Sequence, residues 1–151
     1  MNEIRVKRML LAGLTMFLVW IVAEIIVEQV IGRILFGNLI EERWLQTTTN
    51  LSDWNALNHV VNVLVTLLNC TLLIWLYASL RPMYGVGTKT ALITSALGVV
   101  LGLSLFINMI NLGLLPSQVG MIEAVFVSIE LPIAMLAGAA VYEGAGDKHL
   151  F

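Results

Sequence analysis

The chain has 151 residues, of which 59% are hydrophobic and only 12% are charged. Soluble domains are about half apolar and about a quarter charged, so this composition excludes an ordinary soluble fold and indicates an integral membrane protein. The net charge of −2 argues against nucleic-acid binding, which needs a basic surface. A single cysteine, Cys70, excludes an intrachain disulfide.

Four apolar segments are each long enough to cross about 30 Å of hydrocarbon as a helix. They are Met9–Ile31, Ala56–Leu80, Thr90–Leu114 and Gln118–Tyr142. The alternating short strands of a closed barrel do not occur in the sequence, so helices must satisfy the backbone in lipid. The prediction is an all-α fold, a bundle of four transmembrane helices in one membrane domain covering residues 1–151.

The segment 32–55, between the first two spans, is the longest predicted loop. Apolar residues recur in its first half at near-helical spacing, beside Glu41, Glu42 and Arg43. This pattern predicts an extension of the first helix or an interfacial helix on the outer leaflet. Ser52 or Asp53 then provides an N-cap for the second span.

The distribution of basic residues predicts the topology. Six of them fall at the N-terminus, in the middle loop and in the tail: Arg5, Lys7, Arg8, Arg81, Lys89 and Lys148. Only Arg33 and Arg43 fall on the other side, so the positive-inside rule places both termini in the cytoplasm. Trp75, Tyr77 and Tyr84 are expected to form an aromatic belt. The predicted location is a bacterial inner (plasma) membrane.

Small residues on the third and fourth spans predict close helix packing, either inside the bundle or between protomers. They are Ala91, Ser95, Gly98 and Gly102 on one face of the third span, and Ala134 and Gly138 on the fourth. We expect Pro132 to bend the fourth helix.

Polar side chains form a stripe on each predicted span, and their depths allow the stripes to meet in one polar cavity biased toward the outer side. The candidates for binding an ion or a solute in this cavity are Glu24, Glu28, Asn58, His59, Asn62, Asn69, Asn108, Glu123 and Glu130.

The carboxylates within the spans have no Lys or Arg inside the apolar segments to pair with them. Acidic residues at the centre of a transmembrane helix cost about 2.5–3.5 kcal/mol on insertion and usually mark pathways or binding sites. We therefore expect them to hold a proton or a cation, or else to make structural hydrogen bonds between helices. The motifs of di-metal, haem, protease and phosphate-binding sites do not occur, so no metal, cofactor or enzymatic activity is predicted.

Two segments, WLYASLRPMYGVGTKTALITSALG and IELPIAMLAGAAVYEG, resemble a family of small bacterial integral membrane proteins of unknown function. The matching loop residues are Arg81, Pro82, Tyr84, Gly85, Gly87, Lys89 and Thr90, and the last helix contributes Glu130 and the Ala137–Ala139 patch. The resemblance implies a membrane fold and no particular activity. The segment WIVAEIIVE is also similar to the first helix of small multidrug-resistance transporters, with Glu24 in the matching position, although this chain has a longer outer loop.

Two functions follow as expectations. The first is a non-enzymatic accessory or interaction component with an outward-facing polar cavity, working in a larger membrane complex or as a homo-oligomer. The alternative is a small proton-coupled transporter or channel for a cationic solute, using membrane-embedded glutamates. In both cases the lipid bilayer is the surrounding partner.

Overall fold

The computed structural model describes residues 6–37 and 56–144, apart from the side chains of Glu28, Gln29, Ala56, Asn58 and His59. Within these ranges the chain is helical, and four helices are long and apolar enough to span a membrane. This confirms the predicted all-α, four-span fold. The predicted interfacial helix beyond Gly37 and the predicted N-cap at Ser52 or Asp53 lie outside the described residues.

The four helices extend past most of the predicted span limits. Helix α1 covers Val6–Phe36 and contains an α-helix, Val6–Ile26, a π-helical segment, Val27–Gly32, and a last α-helical turn, Arg33–Phe36. The others are α2, Ala56–Tyr84, α3, Thr88–Asn111, and α4, Ser117–Glu143. The predicted loop from residue 32 therefore begins with helix, in agreement with the expected extension of the first helix as far as Phe36. Helix α3 instead ends before the predicted Leu114.

A tight connection joins α2 to α3. Gly85 and Gly87 have φ angles of +88° and +109°, a region that favours glycine. The Gly85 N–H donates to the Arg81 carbonyl at 2.9 Å and ends α2, and Thr90 Oγ1 donates to the Gly85 carbonyl at 2.6 Å. So short a connection makes α2 and α3 antiparallel neighbours.

The helices form a bundle in which α1 and α3 each pack against both α2 and α4. Helices α2 and α4 also touch across the centre, and the most extensive contact joins α1 to α4. At mid-depth the core is an apolar layer, formed by Met16, Ile74, Leu131 and Met135, each at most 2% exposed. This layer separates the two ends of the bundle.

The two ends differ in charge and in packing. The end that carries Lys7, Arg8, Arg81 and Lys89 is called the basic end here, and the end that carries Phe36 and the start of α2 is called the distal end. Every residue from 60 to 65 on α2 is exposed, whereas Cys70, Ile74 and Tyr77 further along are fully buried. Helix α2 therefore packs closely only through its second half, near the basic end.

Small residues lie where helices approach each other inside the bundle. Ala91 and Ser95 on α3 are buried, and a Cβ at Gly98 would lie 2.8 Å from Leu131 Cδ2. A Cβ at Gly102 would meet its nearest neighbour, Val127, at an ordinary 3.6 Å. On α4, Ala134 is fully buried, and a Cβ at Gly138 would contact Ile74, Met16 and Ala12 within 3.1 Å. The small-residue positions of α3 and α4 thus form contacts within one chain.

Candidate functional site

Glu130 lies in the middle of the 27-residue helix α4 and is only 2% exposed. The Trp20 side chain on α1 forms a hydrogen bond to its carboxyl group. Its other oxygen, Oε1, is buried without any hydrogen-bond partner. A buried carboxylate oxygen without a donor is costly when the group is ionised, so this atom needs a proton or a ligand.

Two further carboxylates lie near Glu130. Glu24 on α1 and Glu123 on α4 are close enough to interact electrostatically with each other and with Glu130. Glu123 is 8% exposed, whereas Glu24 is exposed. We call Glu24, Glu123 and Glu130 the carboxylate cluster. Exposure within it falls from Glu24 to Glu130, so the cluster leads from the outer surface of the bundle to a buried group.

The carboxylate cluster opens away from the basic end. Below Glu130 lies the apolar layer, and α4 carries no charged residue between Glu130 and Glu143. These two residues are separated by about 20 Å along the helix at 1.5 Å per residue. The cluster is therefore isolated from the ionic groups of the basic end.

The described asparagines that were expected in the same cavity as the glutamates do not lie beside them. Asn62 and Asn69 on α2, and Asn108 on α3, are exposed, and none of them supplies a hydrogen bond to Glu130 Oε1. Asn62 lies in the loosely packed part of α2, and Asn69 and Asn108 are on the outward faces of their helices, so none of the three amides faces the core. The structure brings together three of the nine candidate residues and leaves these three amides apart.

The remaining candidates, Glu28, Asn58 and His59, belong to helices, but their side chains lie outside what the structure describes. Among the described side chains, no group of three His, Cys, Asp or Glu residues is arranged to hold a metal ion.

A second polar cluster at the basic end was not predicted from the sequence. The Tyr77 hydroxyl donates to Glu143 Oε1 at 2.8 Å, and Arg81 Nη2 donates to Glu143 Oε2 at 2.7 Å. Arg8 Nη1 donates to the Glu143 backbone carbonyl at 3.0 Å, and the Gly87 N–H donates to the Tyr77 hydroxyl at 3.1 Å. We call this group the Glu143 cluster; it joins α1, α2, α4 and the α2–α3 connection.

Aromatic contacts complete the Glu143 cluster. The Arg81 guanidinium lies 5.4 Å from the centre of the Tyr142 ring, and the rings of Tyr77 and Tyr142 meet edge to face at 6.0 Å. Tyr77 is fully buried, so the prediction that it belongs to an aromatic belt is wrong, whereas Trp75 and Tyr84 are exposed. A sequence signal for this cluster existed: Arg81 and Glu143 each end a long span, and those ends meet in an up-and-down bundle.

Comparison with known proteins adds no relative: no family model, no curated protein and no solved structure matches this chain. The function must therefore be inferred from the geometry of the two clusters.

Proposed function

We propose that this chain is a small multi-pass protein of a bacterial inner membrane that couples proton binding to the movement of a cationic solute. The observation that carries this proposal is Glu130, whose Oε1 is buried without a partner in the middle of a transmembrane helix. Ionisable groups at this depth usually serve ion or proton pathways. Glu24 and Glu123 supply the additional negative charge that attracts a cation.

The same proposal includes the orientation and the family. The clustering of Lys7, Arg8, Arg81 and Lys89 at one end supports a cytoplasmic basic end, with both termini inside. Membership of the bacterial family is also part of the proposal, and it rests on the two sequence segments that resemble that family. No step of this function needs an enzymatic reaction or a cofactor.

Transport can be tested with the purified protein in liposomes that contain a pH-sensitive dye. A gradient of sodium or tetraethylammonium should drive proton movement across the membrane, and Glu130→Gln should abolish it. Glu130 contacts only Trp20 through a described hydrogen bond, so the amide variant is expected to fold normally. Proton movement equal in wild type and variant, or absent with every cation of a monovalent series, contradicts the proposal.

A second function, that of an accessory or interaction component, is favoured by a different observation. Asn62, Asn69 and Asn108 are exposed on helices that otherwise present apolar side chains to their surroundings. Amides in a membrane gain stability when they hydrogen-bond to another helix. A partner protein, or a second copy of the chain, would supply these bonds.

Photo-crosslinking in native membranes tests this second function. A crosslinker at Asn69 should form a discrete adduct with another protein or another copy, whereas one at the exposed apolar Val100 on α3 should react with lipid alone. Identical adduct patterns at the two positions would contradict a specific interaction at the asparagines.

A further inference from the structure

The members of the carboxylate cluster differ in exposure, in order along the bundle. Glu24 is exposed, Glu123 is 8% exposed and Glu130 is 2% exposed. Glu24 lies near the π-helical segment of α1, toward the distal end, whereas Glu130 lies at the middle of α4. Of the three carboxylates, Glu24 is the one at the surface of the bundle, and it is close enough to influence the buried Glu130 electrostatically.

The acceptor is one atom. Trp20 binds the Glu130 carboxyl group, and Oε1 remains buried and unpartnered. No described amide or hydroxyl satisfies this oxygen, although several polar residues occupy nearby spans. An added proton turns the carboxylate into a neutral acid and removes the cost of burying its charge.

Among the described side chains, few charged or titratable groups lie around Glu130. Helix α1 contributes Glu24, and Arg33 lies further toward the distal end, where it makes another interaction. Helix α4 itself contributes Glu123, which also makes a further interaction. Helix α2 has only the buried Cys70 thiol at mid-depth, since Tyr77 and Arg81 bind Glu143, and the only ionisable residue of α3 is Lys89 at the basic end.

The route from Glu130 to the basic end is closed. Met16, Ile74, Leu131 and Met135 fill the apolar layer, and all are at most 2% exposed. Beyond it, both carboxylate oxygens of Glu143 are occupied by Tyr77 and Arg81. A proton therefore has no carboxylate to step to for about 20 Å along α4.

We propose that Glu130 is a proton-binding site with access from the distal end only, and that Glu24 is the group through which it is loaded. One O–H bond breaks at protonated Glu24, which becomes the carboxylate, and one forms on Glu130 Oε1; water relays the proton between the two groups, because Oε1 has no direct hydrogen-bond partner. This inference deepens the proposed transport function, because it specifies the side from which the coupling proton enters.

The test uses full-length protein reconstituted in one orientation, with the pH on the two sides set independently. Infrared difference spectra should contain a protonated-carboxyl band that is absent in Glu130→Gln and that follows the distal-side pH. Glu24→Gln should slow the appearance of this band after a pH jump tenfold or more, with an unchanged final amplitude. Glu24→Asp, which keeps a carboxylate, should restore most of the rate.

Each result is decisive. A Glu130 band that follows the pH of the basic side, or of both sides equally, overturns the inference, as does loading at the wild-type rate in Glu24→Gln. The absence of a Glu130 band at every pH on either side also overturns the inference. Proton loading as described, without any solute-driven flux, would instead retain this site and reject the transport function, so the two proposals fail separately.

Discussion

Tyr77 illustrates what a single hydroxyl does in this protein. It is fully buried, donates to Glu143 Oε1 and accepts the Gly87 N–H, so it links α2, α4 and the α2–α3 connection through one oxygen atom. Neither partner has access to water to replace these bonds. The hydroxyl is thus a structural group of the Glu143 cluster and not a surface anchor.

Replacing Tyr77 by Phe should lower the free energy of unfolding by about 1–3 kcal/mol, because it leaves a buried acceptor and a buried donor without a partner. Denaturant titration in mixed micelles provides the measurement. Tyr84→Phe is the matched control, because Tyr84 is 41% exposed on the same helix. Equal stability of the two variants would mean that the Tyr77 bonds contribute nothing.

At the scale of residues, the sequence predicted the members of the carboxylate cluster but not the role of Tyr77. Glu24, Glu123 and Glu130 stood out because charge in an apolar helix is expensive wherever the helix is placed. Tyr77 resembled Trp75 and Tyr84, because aromatic residues near a span end occur both at lipid interfaces and in cores. Only the positions of Arg81 and Glu143 on neighbouring helices decide between these environments.

At the scale of helices, the tightest approach is not on the small-residue face of α3, where Gly98 and Gly102 form a GxxxG pattern. A Cβ at Gly13 on α1 would lie 2.6 Å from Thr71 Oγ1 and 3.0 Å from the Thr71 Cα on α2. The backbone of α2 cannot move away without disturbing Ile74 and Tyr77 further along. Gly102, in the GxxxG pattern of α3, has no neighbour closer than 3.6 Å.

Gly13→Ala should therefore destabilise the bundle by about 1–3 kcal/mol through overpacking. Gly102→Ala should be neutral, or stabilising by up to about 1 kcal/mol, because alanine favours helix and the space is available. Thermal unfolding of both variants in one detergent gives the comparison. A larger loss at Gly102 than at Gly13 would contradict the packing described for α1 and α2.

The helices themselves could be predicted from the lengths of the apolar runs, because a backbone in lipid has few other ways to bond. Their relative rotation could not. The 3.6-residue period assigns Asn62 and Asn69 to one face of α2, but it does not say whether that face meets α4. In the structure both amides are exposed, so this face of α2 points away from the core and from the carboxylate cluster.

For the molecule as a whole, the two ends should differ in labelling by a membrane-impermeant thiol reagent. Val86→Cys lies in the basic-end connection and Leu112→Cys at the end of α3, and both native residues are exposed. With both termini in the cytoplasm, intact cells should label only the second variant, because Val86 would face inside. Cys70→Ala provides a background without the native, buried thiol.

Labelling of the Val86 variant alone in intact cells would contradict this topology and indicate the opposite orientation. Permeabilised cells, in which both variants should react, provide the control for accessibility. The cysteine is placed at Val86 and not at the neighbouring Gly87, because the φ angle of +109° at Gly87 strains any other residue.

The Glu143 cluster also has a consequence for how the chain is made. Arg8 and Arg81 emerge from the ribosome long before Glu143, which ends the last helix and binds both. Until that residue is synthesised, the Arg81 guanidinium lacks this carboxylate at the edge of the bilayer. A chain that stops within α4 thus leaves the Arg81 guanidinium without the ion pair that it has in the finished protein.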